Sequence, residues 1–524
     1  VRAWIVFPGG ICYHEVACPI ELGFMARRPN ESHLRLSPPA RRFGAFAGCF
    51  RRVGTGATLA AAGWIAACGG PSPAPAPPPS TPPAPVASEP VADPFELTMS
   101  DRSALMSPDD TRPMEGGWNL AKTPASAGTA ENREAMAELE SIGYLGGVNP
   151  VPNESGVTVN DPGRAGPGLN LFVSGHDSVA YLMDMAGNVL HTWSHPYAGL
   201  WPDANLPKDP ARAFMWRRVA LLPNGDLVAI HEGLGMLRLD KDSRLLWARP
   251  NRAHHDLEIL GDGRVLTLTR KARMHPLFSD KDPILEDFVS LISPDGEELA
   301  RVSVLEALLK DGFPFLREET LEYFRSTARN LPIQERGDIL HTNTVEWVDS
   351  RLAGRVPGVR PGNVLVACLK IGRTLVLDLE TGSVVWVLAP RFQPLHHPTV
   401  LDNGNILLLQ NTWRPGKSAV FEVDPGTGET VWSFTADDAP GGDFYTEFCG
   451  ACYRLSNGNT LVAESNAGRA FEITPDKQVV WSFSNPHRAG DARQFIATIF
   501  DLMRLESPGV PWLEKTPPPG VSAR

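Results

Sequence analysis

The chain reads as an all-β protein, a six-bladed β-propeller, and three observations predict that fold. First, a unit recurs from about Leu169 onward: apolar strand, Asn/Asp-Gly turn, apolar strand, then a strand ending in Trp or Val. Its turns are Asn224-Gly225, Asp262-Gly263, Asp295-Gly296, Asn403-Gly404 and Asn457-Gly458. Such dipeptides between apolar runs are the strongest short-range hairpin signal, with both turn positions expected at positive φ. Second, six closing strands follow these turns: VLHTW at Trp193, LLW at Trp247, ELARV at Val302, VVW at Trp386, TVW at Trp432 and VVW at Trp481. Their spacing of roughly 40 to 50 residues is the period of propeller blades. Third, no strand-helix-strand alternation competes with that reading.

The propeller is placed at residues 166–490. One stretch breaks the array between the third and fourth closing strands: residues 303–330 carry Leu305, Leu308, Leu309, Leu316, Leu321 and Phe324 at helical spacing. Gly312 and Pro314 divide it into two short helices, expected to pack on one rim. Residues 491–524 are taken as a C-terminal tail.

Ahead of the propeller the chain changes character. Residues 1–67 read as a targeting region, because Val53–Ala67 is apolar, rich in small residues, preceded by Arg51-Arg52 and too short for a membrane span. It ends in Ile65-Ala66-Ala67-Cys68-Gly69, which resembles a bacterial lipobox and implies cleavage before Cys68 with lipidation of that cysteine. Residues 68–94 are a Pro/Ala/Ser linker that cannot bury a core and stays extended. Residues 95–165 form a weakly patterned N-terminal extension, with one short helix expected over 132–144. The expected location is therefore the periplasmic face of a bacterial membrane, lipid-anchored through a disordered tether.

With 524 residues and 42% apolar composition, the chain can bury a large core. A net charge of −11 and no long basic run make nucleic acid a poor partner. Past residue 67 the cysteines are Cys68, Cys368, Cys449 and Cys452. Cys449-Gly-Ala-Cys452 is expected to close a small disulfide loop in an oxidising compartment. No second Cys pair or nearby His pair completes a zinc site.

Three histidine segments recur at comparable places in the array: His254-His255-Asp256, His341-Thr342-Asn343 and His396-His397-Pro398. Histidine serves as nucleophile, proton carrier or metal ligand near neutral pH, so three such segments suggest side chains converging on one axis. His396 and His397 are adjacent, and along a strand only one of them faces the axis. Each histidine alone also fits a hydrogen-bonded strand end.

The ordered set His254–Leu257, His341–Val345, His396–Thr399, Asn403–Leu407 and Gly468–Ile473 resembles bacterial PAPS-independent arylsulfate sulfotransferases over roughly residues 165–490. The resemblance implies a six-bladed propeller that moves a sulfuryl group from a phenolic sulfate ester to a phenol through a sulfohistidine. His396 matches the family's nucleophile, and His255 and His341 match its supporting histidines; no cofactor or metal is implied. His254 and His397 are carried along as substrate-binding candidates. The family usually bears an arginine in the strand after the HTN segment. Here Leu369 takes its place, or Lys370 with a shift of one residue, and Arg373, Arg270 or Lys271 are the compensating cations.

Two rivals stand beside this reading. Leu377–Gly382 with Val385-Trp386 resembles the repeat of quinoprotein dehydrogenases, but the repeats are too few and no calcium-binding cluster is evident. A non-catalytic propeller that binds a ligand or partner is the other. A homodimer is compatible with either.

Overall fold

The computed structural model describes residues 146–201, 214–310, 337–389, 394–490 and 492–506, together with 133, 135, 136, 392, 510, 512 and 513. Among them, six antiparallel sheets follow one another along the chain and form the six blades. The inner strands of blades 2 to 6 are Trp216–Leu221, Ala253–Ile259, Thr342–Trp347, Leu395–Val400 and Ala451–Arg454. They touch in cyclic order around one axis.

Blade 1 is built from both ends of the propeller. Its three outer strands are Leu169–Ser174, Val179–Met183 and Val189–Ser194, and its inner strand is Ile499–Leu505. The pairing runs from Leu169 opposite Leu505 to Ser174 opposite Ile499. The propeller thus extends past residue 490, and part of the expected tail is the strand that closes the ring. Ile499–Leu505 has no hairpin turn of its own, so its partner is not visible from local sequence. A second such strand, Gly156–Asn160 of the expected extension, pairs with Val479–Ser484 as the outermost strand of blade 6.

The core lies between blades, and this explains why the strands read as continuous apolar runs rather than alternating ones. Ile406 and Leu408 point into the cluster shared by blades 4 and 5, while Leu407 and Leu409 point into the one shared by blades 5 and 6. Six such clusters fill the six blade-to-blade interfaces. The closing tryptophans stitch these interfaces. Trp193 donates its indole N–H to the Gly225 carbonyl at 3.0 Å, Trp247 to Pro294 at 2.9 Å, Trp432 to Pro475 at 3.0 Å and Trp481 to Met185 at 3.0 Å. Each acceptor belongs to a turn of the next blade.

The hairpins exist where expected, but their geometry differs. Gly225, Gly263, Gly296, Gly404 and Gly458 have φ between 78° and 91°, whereas the Asn or Asp before each does not have positive φ. At Leu401 the carbonyl accepts from Gly404 N–H at 2.8 Å, and its own N–H donates to Asn405. This is a three-residue loop with a type I turn and one left-handed glycine, whose twist also suits paired strands. The Asn403 side chain accepts from the Asn405 amide at 2.9 Å, which favours Asn or Asp before the glycine.

Of the expected insertion, Val304–Lys310 is a helix whose Val304, Leu305, Ala307 and Leu308 join the cluster between blades 3 and 4. Leu316, Leu321 and Phe324 lie outside the described residues, as do the expected signal, Cys68 and the linker. The helix expected over 132–144 is described only at residues 133, 135 and 136, which are helical.

The expected disulfide is absent: Cys368, Cys449 and Cys452 are buried free thiols. Cys449 packs with the blade 1–blade 2 cluster and Cys452 with the blade 5–blade 6 cluster. Entry into the inner strand turns the two side chains to opposite interfaces, so their sequence spacing does not bring the sulfurs together.

Candidate active site

The inner strands carry register irregularities near their N-terminal ends: between Trp216 and Arg218, around His255-Asp256, between Thr342 and Thr344, between His396 and Thr399, and around Phe500. A bulge re-aims side chains that a regular strand would send into a blade interface. The backbone is strained at or beside the irregularities of blades 3, 4 and 5, and at the head of the blade 6 inner strand. His255 has φ 56°, His341 50°, His397 50° and Cys449 57°. Histidine is among the few L-residues that visit this region, at a cost of about 1–3 kcal/mol each.

The result is a small polar cavity on the axis, to which every blade contributes. Arg217 and Arg218 come from blade 2, His255 and Asp256 from blade 3, and Asn343 from blade 4; His396 and His397 come from blade 5, Gly450 from blade 6 and Phe500 from blade 1.

His396 is the best-defined group. Its Nδ1 lies 2.6 Å from Asn411 Oδ1, and the Asn411 amide donates to the carbonyls of Thr446 at 3.0 Å and Cys449 at 2.7 Å. Those two acceptors orient the amide, so its oxygen must face His396. The imidazole is therefore protonated at Nδ1 and carries its lone pair on Nε2. Burial, with the Arg217 and His341 charges and against the Asn411 bond, pushes its pKa down to about 3. His396 is a neutral, oriented nitrogen base.

His255 and His341 face each other, with 3.1 Å between their Nε2 atoms. Asp338 accepts from His341 Nδ1 in a short hydrogen bond. His254 Nδ1 stands 2.8 Å from His255 Nδ1, and its Nε2 is 3.5 Å from Asp287. Burial first, then neighbouring cations and imidazoles, hold His254 and His255 well below the ordinary histidine pKa. The Glu232 carboxylate lies 3.4 Å from His255 Nδ1 and 3.4 Å from the Arg270 guanidinium. Glu232, His254 and His255 are the one grouping among the described residues close enough to hold a metal ion. Within it His254 Nδ1 meets His255 Nδ1 at 2.8 Å, and Glu232 accepts the His255 backbone N–H at 2.9 Å and lies against the Arg270 guanidinium.

Beneath the histidines the axis is plugged. Arg218 pairs with Asp256 at 2.8 Å and Asp501 at 2.5 Å, and donates to Tyr453 at 2.9 Å and His397 Nε2 at 3.2 Å. Asp256 also accepts the Val345 amide at 3.1 Å. His397 Nδ1 donates to the Cys452 carbonyl at 3.1 Å, so both of its ring nitrogens serve the plug. One guanidinium thereby gathers groups from all six blades.

The family model described as Arylsulfotransferase (ASST) matches residues 218–486, just over half of the chain. The chain belongs to the arylsulfotransferase family. No curated protein matches it. Among solved structures it is similar to a protein of unknown function from Bacteroides caccae, at 14% identity over 64% of this chain and 98% of that one, with a TM-score of 0.40. It is also similar to a streptogramin B lyase, at 12% identity over 65% and 87% of the two chains, with a TM-score of 0.35. Family membership points to arylsulfotransferase function.

Within this member of the family the predicted cations fall away from the cavity and an unpredicted one lines it. Lys370 is half-buried at the turn after Val364–Cys368, where its charge acts on Asp338. Arg373 opens the following strand, and Arg270 is buried against Glu232. None of the three, nor Lys271, is among the cavity residues, and His254 lies behind His255. The cavity's own cations are Arg218, committed to its two aspartates, and Arg217. Arg217 NH1 donates to the Phe500 carbonyl at 3.4 Å, and its charge reaches His255, His396 and His397. A sequence signal for it existed. Arg217, His255, His396 and Gly450 each stand seven residues ahead of their blade's Asn/Asp-Gly turn. Asn411 offered no comparable signal.

Proposed function

We propose that this chain moves a sulfuryl group from a phenolic sulfate ester to a phenol, independently of PAPS, through a sulfohistidine on His396. The observation that carries this reading is the Asn411–His396 pair, which presents a neutral, oriented Nε2 lone pair on the axis. In the first half-reaction Nε2 attacks sulfur, the sulfur–oxygen bond breaks and phenoxide leaves. The Nδ1 proton stays on His396, donated to Asn411 Oδ1, throughout. In the second, an acceptor phenol attacks the same sulfur, loses its proton and restores the histidine. One difficult displacement becomes two easier ones.

Arg217 supplies positive charge toward the sulfuryl oxygens, the role that the family's arginine would have from another blade. The His255–His341 pair supplies the proton that phenoxide needs and takes back that of the acceptor. Because Arg218 and its partners plug the axis, donor and acceptor use one mouth in turn, as a covalent intermediate allows.

The test is a mass-spectrometric search for modified histidine after mixing the protein with 4-nitrophenyl sulfate and quenching without acid. Phenol release is followed with and without an added phenol acceptor, in wild type and in His396→Ala. A sulfuryl adduct on His396, acceptor-dependent turnover and their loss in the variant are expected. No adduct and no release across several donors would leave a propeller that binds without catalysing.

A further inference from the structure

His255 falls in the irregularity of the blade 3 inner strand, between the ladder pairs His254–Leu268 and Leu257–Thr267. A bulged residue loses its place in the ladder, so its buried backbone N–H needs an acceptor from elsewhere. That acceptor comes from blade 2. Glu232 stands in the turn between Leu227–His231 and Gly235–Leu239, and its Oε2 takes the His255 N–H at 2.9 Å. The same turn holds the chain just ahead of His255. Gly233 N–H donates to the Ala253 carbonyl at 2.8 Å, and Arg252 N–H to the Leu234 carbonyl at 3.3 Å. The carboxylate thus continues a row of backbone bonds past the point where the left-handed turn of His255, at φ 56°, would end it.

The carboxylate is itself aimed. Arg270 Nη1 donates to Glu232 Oε1 at 3.4 Å, and Gly233 leaves the room that this approach needs, since a Cβ there would lie 1.8 Å from Arg270 Nη2. Glu232, His255 and Arg270 are all buried, where an ionised acceptor makes a stronger bond than a neutral one. The device recurs around the ring. Asp287 Oδ2, from blade 3, takes the N–H of Thr342, the residue after His341, at 2.8 Å. Thr344 Oγ1, from blade 4, takes the N–H of His397 at 3.1 Å. A peptide next to each left-handed histidine is therefore held by a buried side chain of the preceding blade.

We propose that Glu232 is a positioning residue for sulfuryl transfer: by accepting the His255 N–H it fixes the left-handed backbone that presents the His255 ring to the cavity. It works as a hydrogen-bond acceptor and never touches substrate. The inference rests on the sulfuryl-transfer reading and extends it to a residue outside the cavity. The rival role for Glu232 is through its charge, because Oε1 also lies 3.4 Å from His255 Nδ1. The two roles part on one substitution. Glu232→Gln keeps an oxygen for the His255 N–H and removes the charge, whereas Glu232→Leu removes both.

The test uses the full chain as wild type, Glu232→Gln and Glu232→Leu, with phenol release measured on aryl sulfates of graded leaving-group acidity. A displaced His255 matters most where the leaving phenoxide most needs a proton. Glu232→Leu is expected to stay within about threefold of wild type for 4-nitrophenyl sulfate and to lose ~10²-fold or more for unsubstituted phenyl sulfate, the range of general acid catalysis. Glu232→Gln is expected within about threefold of wild type on both. A glutamine variant as impaired as the leucine one would assign the work to charge and overturn the proposal. So would a leucine variant that loses equally on every donor, the mark of a structural role. Should the leucine variant not fold, the glutamine variant decides alone, since loss there overturns it. Backbone-amide NMR on histidine-labelled protein rules independently of turnover, with the His255 signal assigned by its absence in His255→Gln. That amide proton is expected downfield in wild type and shifted upfield in Glu232→Leu; an unmoved signal would overturn the proposal. Should wild type release no phenol from any donor, the sulfotransferase reading falls, while the amide signal still shows whether Glu232 holds His255.

Discussion

At the residue scale, the site is a set of histidines held in conformations their own chemistry does not favour. His255, His341 and His397 all sit in the left-handed region, and the cost is tolerated because converging strand ends, bulged in five of the six blades, over-determine them. Asn411 is the residue on which His396 depends most directly. Asn411→Asp replaces a neutral acceptor with a charged one 2.6 Å from Nδ1, which stabilises the imidazolium and raises the His396 pKa. In wild type the free nucleophile stays neutral down to pH about 3, so its protonation does not limit activity near neutrality. In the variant, adduct formation should decline as pH falls through the raised pKa, moving the acid limb of kcat/KM toward neutral pH. A pH–rate series on both proteins checks this, and an unmoved limb would remove Asn411 from the orienting role. The trio of histidines was legible in the sequence because each stands before a recognisable blade unit. Asn411 was not, since its relation to His396 is a pairing across neighbouring strands rather than a motif.

At the element scale, blades 1, 2, 5 and 6 each carry their own adhesive. The closing-strand tryptophan reaches a carbonyl in the next blade's turn, so the residue that makes the repeat visible in sequence is also one that binds repeat to repeat. Trp481→Phe keeps most of the buried ring but leaves the Met185 carbonyl without its indole donor. Thermal or urea unfolding should show a loss of about 1–2 kcal/mol, with the fold retained. The cysteine expectation failed at this scale for a geometric reason. Cys449 and Cys452 flank the entry to an inner strand, where alternate side chains enter different interfaces.

At the scale of the whole molecule, two devices hold the ring together. One is the Arg218 plug, which ties groups from every blade to a single buried guanidinium. The other is the closing strand Ile499–Leu505, without which blade 1 has no inner strand, the cavity loses Phe500 and the plug loses Asp501. Truncation after residue 490 should therefore abolish cooperative unfolding and phenol release together, where a dispensable tail would leave both intact. Circular dichroism with a thermal melt checks it. Blade count and turn positions were legible because they repeat; the closure was not, because its two partners lie at opposite ends of the propeller sequence.

By itself the sequence determined the strand repeat, the glycine at each turn, the six closing strands and the three histidine segments, all of which are local and periodic. Only the tertiary structure decided which strand closes the ring, that Arg217 rather than Lys370 or Arg373 lines the cavity, that His397 belongs to the plug, and that the cysteines stay apart. The physical reason is common to all four. Bulges at the heads of the inner strands set where side chains point, and convergence of six blades on one axis creates neighbours that no spacing along the chain encodes.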